Sequence, residues 1–263
     1  MKLFLYALAL ITLSIGCNKK EEQTKTYLPR ILTKNEGFNR YPEQKSDSLN
    51  IYNVVNSSPQ QFSVRFRDTT VRIQTDASDK NKSTDKFISA QFINTQKTCL
   101  LVQLADSTGL VSPSYLISLK GKGLEVISLY RASNGSQDQK FTKGINRVGA
   151  AGYLVDNDFF ITNVNAKAYL IKRQNPAERI QGQFLLMSPD RQTAVFLVQR
   201  SLYQVHYPSA EISTELLKGD VPQDIPGVYA WIQNNYSFQK NKKSISFLKY
   251  NDDDRIVDIK EFK

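Results

Sequence analysis

The sequence predicts an all-β fold of antiparallel sheets. Three observations carry that prediction. Short runs rich in β-branched and aromatic residues recur along the chain, separated by turn residues. Aromatic residues make up 11% of 263 residues, as Tyr 13 and Phe 14 against one Trp. No segment shows a convincing amphipathic helical period over ten residues. The hydrophobic and charged shares, 40% and 23%, are those of a globular chain, and they exclude wholesale disorder and multi-span membrane classes.

The strands follow in order. The first are Leu49–Val55, Gln61–Arg67 and Thr70–Thr75. Next come Phe87–Ile93, Thr98–Leu104, Ser114–Leu119 and Leu124–Tyr130. Arg147–Val155, Asp158–Asn163, Lys167–Lys172 and Arg179–Met187 follow. The last are Thr193–Gln199, Ser201–Tyr207, Ile212–Leu217, Gly227–Ile232, Tyr236–Gln239, Ser244–Tyr250 and Arg255–Phe262. Phe184, Leu186, Ala194, Phe196 and Val198 are the expected core of the strand pair around Ser188-Pro189-Asp190.

Strands at this spacing build a sandwich, a barrel or a propeller. Residues 182–217, with Ser188-Pro189-Asp190 closing the first strand, resemble one β-propeller blade. Residues 87–130, 147–180 and 227–262 can be set in the same four-strand order, at a spacing of about 40–50 residues. The resemblance implies propeller-like repeats; a sandwich or barrel built of similar hairpins stays open beside it.

The N-terminus carries an address. Lys2 precedes an apolar run from Leu3 to Ile15, then Gly16 and Cys17, the layout of a secretory signal peptide. The run is shorter than the roughly 20 residues of a membrane span. Ser14-Ile15-Gly16-Cys17 resembles a bacterial lipobox of the looser Bacteroidota kind. Lys20-Glu21-Glu22 after it resembles the surface-export tether of such lipoproteins. The resemblance implies cleavage before Cys17, fatty acylation of Cys17 and a lipid anchor in the outer membrane, on its periplasmic or surface face. The expected organisation is a signal peptide at 1–16, a lipidated N-terminus and flexible tether at 17–48, and one all-β domain at 49–263. Within the tether, Tyr27-Leu28 and Ile31-Leu32 are apolar enough to dock on the domain.

The rare residues exclude much chemistry. With Cys17 acylated, no intramolecular disulfide is expected, and Cys99 reads as a buried thiol in an apolar strand. The single His206 alternates with Tyr and Val as an ordinary strand residue does. No G-x-S-x-G is present. No metal site, cofactor or catalytic set is expected, because zinc sites need several His or Cys. Asn251-Asp252-Asp253-Asp254 lacks the Gly and distal Glu of a calcium loop and reads as a hairpin turn. Asp156 and Asp158 flank another turn, where acids are usually solvated.

The net charge of +10 is spread along the chain, with no basic block beyond Lys240-Asn241-Lys242-Lys243. Nucleic acid is therefore not an expected partner, whereas anionic glycans or head groups suit a diffuse positive field. Tyr229 and Trp231, two apart in an expected strand, would share one face. They form an exposed aromatic platform for sugars or partners if the Ala230 and Ile232 face is buried, and core if they point inward. A lone Trp is usually substantially buried, which favours the second. The function expected is that of a membrane-anchored, non-enzymatic envelope binding or scaffold module, with envelope proteins or glycans as partners. A glycan-active enzyme or accessory subunit using Asp and Glu is the alternative.

Overall fold

A computed structural model describes residues 22–32, 48–104, 113–134, 143–163 and 166–251. Cys17 and the expected strand Arg255–Phe262 lie outside the described residues, as do Asp252, Asp253 and Asp254. The body is all-β and forms five sheets. The first sheet holds β1 (Gln23–Tyr27), β3 (Leu49–Asn53), β4 (Phe62–Phe66), β5 (Thr69–Gln74) and β6 (Ser83–Thr84). The second holds β2 (Arg30–Ile31), β7 (Ser89–Phe92), β8 (Cys99–Gln103), β9 (Ser114–Lys120) and β10 (Gly123–Ser128).

The third sheet is the meander β11 (Ile145–Val148), β12 (Gly152–Val155), β13 (Phe159–Thr162) and β14 (Ala168–Leu170). The fourth is the meander β15 (Gln183–Met187), β16 (Thr193–Val198), β17 (Ser201–His206) and β18 (Glu211–Leu216). The helix α1 (Ile225–Asn235) leads into the fifth, a hairpin of β19 (Tyr236–Lys240) and β20 (Ser246–Tyr250).

The sheets stack in sequence order, and alternation along each strand explains how. In the second sheet, Leu100, Val102 and Ile117 pack on the first sheet, while Cys99, Leu101 and Leu116 pack on the third. In the third sheet, Val155 and Ile161 face back, while Leu154 and Phe160 face the fourth. In the fourth, Ala194 and Phe196 face the third, and Val195 and Leu202 face α1 and the fifth. A strand buried on both faces must be apolar at consecutive positions. That is why Cys99-Leu100-Leu101-Val102 and Phe159-Phe160-Ile161 read as continuous runs. Among the described residues the apolar clusters lie in series between successive sheets.

Several expectations need correction. Arg147–Val155 is not one strand but the hairpin of β11 and β12. Its turn, Gly149-Ala150-Ala151, carries no polar residue to mark it, and Gly149 sits at φ 50°. Gly152 has no room for a side chain: a Cβ there would lie 1.9 Å from the Ile161 carbonyl oxygen. Gly227–Ile232 is helix, not strand. Asp224 caps it, accepting from the Gly227 N–H at 2.8 Å, and Pro226 sits in the first turn, where its missing N–H costs nothing. A bulge between Phe184 and Leu186 turns Leu186 toward the fifth sheet, so it leaves the face it was expected to share with Phe184 and Phe196. Phe196 itself is fully buried, its ring 5.9 Å from that of Phe184.

Part of the segment expected to be a flexible tether is paired. β1 lies parallel to β5 along five residues, and β2 lies parallel to β10. Leu32 is buried between the second and third sheets, whereas Leu28 and Ile31 are exposed.

Candidate functional site

The strongest concentration of unusual chemistry lies where the third and fourth sheets meet. The turn between β12 and β13 is Asp156-Asn157-Asp158. Asp156 and Asn157 have φ of 52° and 57°, the left-handed pair of a tight hairpin, which Asp and Asn tolerate best. Asn157 donates through Nδ2 to the Ile180 and Gly182 carbonyls at 3.2 and 3.0 Å, pinning the turn to the chain that enters the fourth sheet.

Asp158 is fully buried and meets three guanidinium groups. Arg131 Nη2 donates to its Oδ1 at 2.6 Å. Arg173 takes both oxygens, Nε to Oδ1 at 2.9 Å and Nη2 to Oδ2 at 3.0 Å. Arg179 Nη1 reaches Oδ2 at 3.2 Å. Burial of one carboxylate alone would be prohibitive, and one guanidinium would offset it; three leave positive charge in excess.

The donors of the cluster are not equally satisfied. Arg173 also donates to the Ala132 and Arg131 carbonyls at 2.9 and 2.7 Å. Arg131 also donates to the Ile171 carbonyl at 2.8 Å. Its Nε, however, is buried with no hydrogen-bond partner among the described residues. Burial lowers the Arg131 pKa; Asp158 opposes this, while the charges of Arg173 and Arg179 add to it.

Arg131 forms part of the wall of a cavity of about 480 Å³. The rest of the wall comes from the segment Lys167–Arg173, from Pro176, and from Tyr207, Pro208 and Ala210. The volume is in the range of small-ligand sites, and the wall is mainly apolar with a few convergent polar groups. The Tyr207 ring is wedged between Phe160 and Tyr169, centroids 4.7 and 4.8 Å away, and its hydroxyl donates to the Arg191 carbonyl at 2.6 Å. Lys167 lies over the Tyr169 ring at 4.8 Å. Among the described residues lining the cavity there is no carboxylate.

Asp156 and Asp158 were expected to be solvated, and both are buried. Asp156 Oδ1 accepts from the Gly144 N–H at 2.8 Å. Burial pushes its pKa up to about 6, reinforced by the charge of Asp158 and opposed by the Gly144 hydrogen bond and Arg179. Neither acid lines the cavity.

The other singled-out residues fall elsewhere. His206 is held between Ser209 Oγ at 2.6 Å and Gln192 Oε1 at 3.1 Å. Burial lowers its pKa, against the pull of Asp190 and Glu211. Cys99 is fully buried in β8. The Ser188-Pro189-Asp190 turn is closed by its own side chains: Ser188 Oγ accepts from the Thr193 N–H at 2.9 Å, and Asp190 takes the Gln192 N–H at 3.1 Å.

Tyr229 and Trp231 do not share a face. Two positions apart on a helix, they point in nearly opposite directions. Tyr229 is exposed, while Trp231 packs with Tyr236 and Tyr250 at centroid distances of 5.5 and 6.4 Å. The pair therefore offers no joint aromatic platform. Val228 and Ile232, four apart, form the buried stripe of α1.

The site residues Arg131, Arg173 and Arg179 escaped sequence reasoning. They come from two separate segments, Arg131 from the connection after β10 and Arg173 and Arg179 from the connection between β14 and β15, and the one visible hint is a strand edge, Lys167–Arg173, that carries three cations. Among the described residues no group of His, Cys, Asp and Glu is placed to hold a metal ion, and no helix is long and apolar enough to cross a membrane. No protein-family model matches the chain, and no curated protein matches it.

Proposed function

We propose that the chain is a lipid-anchored envelope lipoprotein whose propeller-like body acts as a non-enzymatic binding module, with the cavity beside Arg131 as its ligand site. The ligand is anionic. The observation that carries the binding reading is the three-to-one cluster of guanidiniums around Asp158, together with Arg131, a residue of the cavity wall whose Nε is buried with no partner among the described residues. A buried donor without an acceptor costs about 1–3 kcal/mol, and a bound anion would recover part of that. The anchor rests on the leader that ends in Ser14-Ile15-Gly16-Cys17.

Two experiments test this reading. Cys17→Ser should abolish fatty-acid labelling and release the protein from membranes; unchanged labelling would refute the anchor. A thermal-shift panel of carboxylated, sulfated and neutral glycans, run on the mature protein, should show stabilisation by anionic members only. Turnover of a glycan in the same panel would favour the enzymatic alternative, and no response to any anion would refute the binding reading.

A further inference from the structure

Resting on the reading of this cavity as a ligand site, we infer that its occupant is an extended acidic peptide segment of a partner protein, added as a strand to the free edge of β14. The first support is the shape of the wall. Seven consecutive residues, from Lys167 to Arg173, line the cavity. Side chains alternate between the two faces of a strand. A cavity over one face would therefore meet every second residue, so one that meets all of them runs along the edge.

The second support is the backbone. Among the described residues β14 is the last strand of its sheet and pairs only with β13. The Lys167 carbonyl accepts from the Thr162 N–H at 3.0 Å, and the Ile171 N–H donates to the Asp158 carbonyl at 2.8 Å. Alternate residues of an antiparallel strand bond to the same neighbour. Positions 167, 169 and 171 thus turn their amides to β13, and Ala168 and Leu170 turn theirs outward, along the cavity. An alternating row of donors and acceptors is matched best by another extended backbone.

The third support is charge. Arg131 and Lys172 both line the cavity, and Lys172 is exposed. No carboxylate among the described lining residues offsets them. The matching strand is acidic, with apolar side chains on alternate positions to meet Tyr169, Tyr207 and Pro208.

Calorimetric titration of the mature protein tests this with a blocked six-residue peptide of alternating Glu and Val. The same peptide N-methylated throughout keeps its charge and loses its ladder donors. A Lys and Val peptide reverses the charge, and oligogalacturonate supplies carboxylates without a peptide backbone. The Glu and Val peptide should bind, weaken about tenfold or more on N-methylation, and weaken with added salt, while the Lys peptide should not bind. Lys172→Glu should weaken binding about tenfold with an unchanged unfolding midpoint. Leu170→Pro should do the same, because it removes an outward N–H on an edge strand; if that variant fails to fold, Lys172→Glu and the peptide series decide. Equal affinity of the N-methylated peptide, or binding of oligogalacturonate alone, would overturn the inference and leave the cavity reading standing. No binding by any probe would overturn both.

Discussion

Two acidic turns on adjacent sheets, Asp156-Asn157-Asp158 and Ser188-Pro189-Asp190, look alike in composition and differ in what surrounds them. Asp158 is fully buried and its charge is met by three arginines from two segments. Asp190 stays at the surface and is met by hydroxyls and a backbone N–H: Ser188, the Gln192 amide, and Ser246 of β20 at 3.1 Å. Burial raises the Asp190 pKa, but these hydrogen bonds outweigh it and the net shift is downward. The second turn is completed largely by residues close in sequence. The first is completed only by tertiary structure, with three guanidiniums on one carboxylate.

The largest expected effect tests that difference directly. Asp158→Asn removes the carboxylate that all three guanidiniums share, with Arg173 and Arg179 almost wholly buried. It should cost on the order of 3–5 kcal/mol in a denaturant titration. A cost near that of the surface turn would show the cluster to be well hydrated and would erase the contrast.

Asp156 gives the next effect, and it depends on pH. Its folded pKa, about 6, is above the unfolded value, so the folded state prefers the neutral acid. This contribution to stability is full below about pH 4 and is lost as pH rises through about 6. Asp156→Asn keeps an acceptor for the Gly144 amide and suits a positive φ. It should therefore be more stable than the parent at pH 7.5, by about 1–3 kcal/mol, with the gain gone at pH 4. A gain that does not change with pH would mean that the carboxyl group is not desolvated.

The smallest effect belongs to Asp190. Asp190→Asn at the exposed turn should cost about 0.5–1.5 kcal/mol, the range of ordinary hydrogen bonds. A cost above that of Asp158→Asn would reverse the comparison and make the link to Ser246 the more important contact.

The strand content was legible because fully covered sheets demand continuous apolar runs, but residues 227–262, expected in a four-strand order, begin in the helix α1 and continue as the β19–β20 hairpin. The hairpin within 145–155 was hidden by its apolar turn. The helix α1 was hidden because Pro226-Gly227 looks like a loop, whereas the Asp224 cap makes both residues part of a helix start. Trp231 follows from the same change of period: its emission should be blue-shifted and shielded from acrylamide, given its packing on Tyr236 and Tyr250. The arginine cluster left only the cations of Lys167–Arg173 as a trace in the sequence, since partners 15, 21 and 27 residues from Asp158 converge only after the third sheet has formed.

The parallel strands β1 and β2 impose an order on folding. The Arg30–Glu125 ion pair beside β2 spans 95 residues, and the Arg65–Glu22 pair beside β1 spans 43. Contacts so distant in sequence carry a large closure entropy and form after the local hairpins that reward them. A chain emerging from its N-terminus must complete β5 before β1 has a ladder to join, and β10 before β2 has one. The segment that holds β1 and β2 therefore docks last, as a latch over two finished sheets, once roughly half the protein has been built.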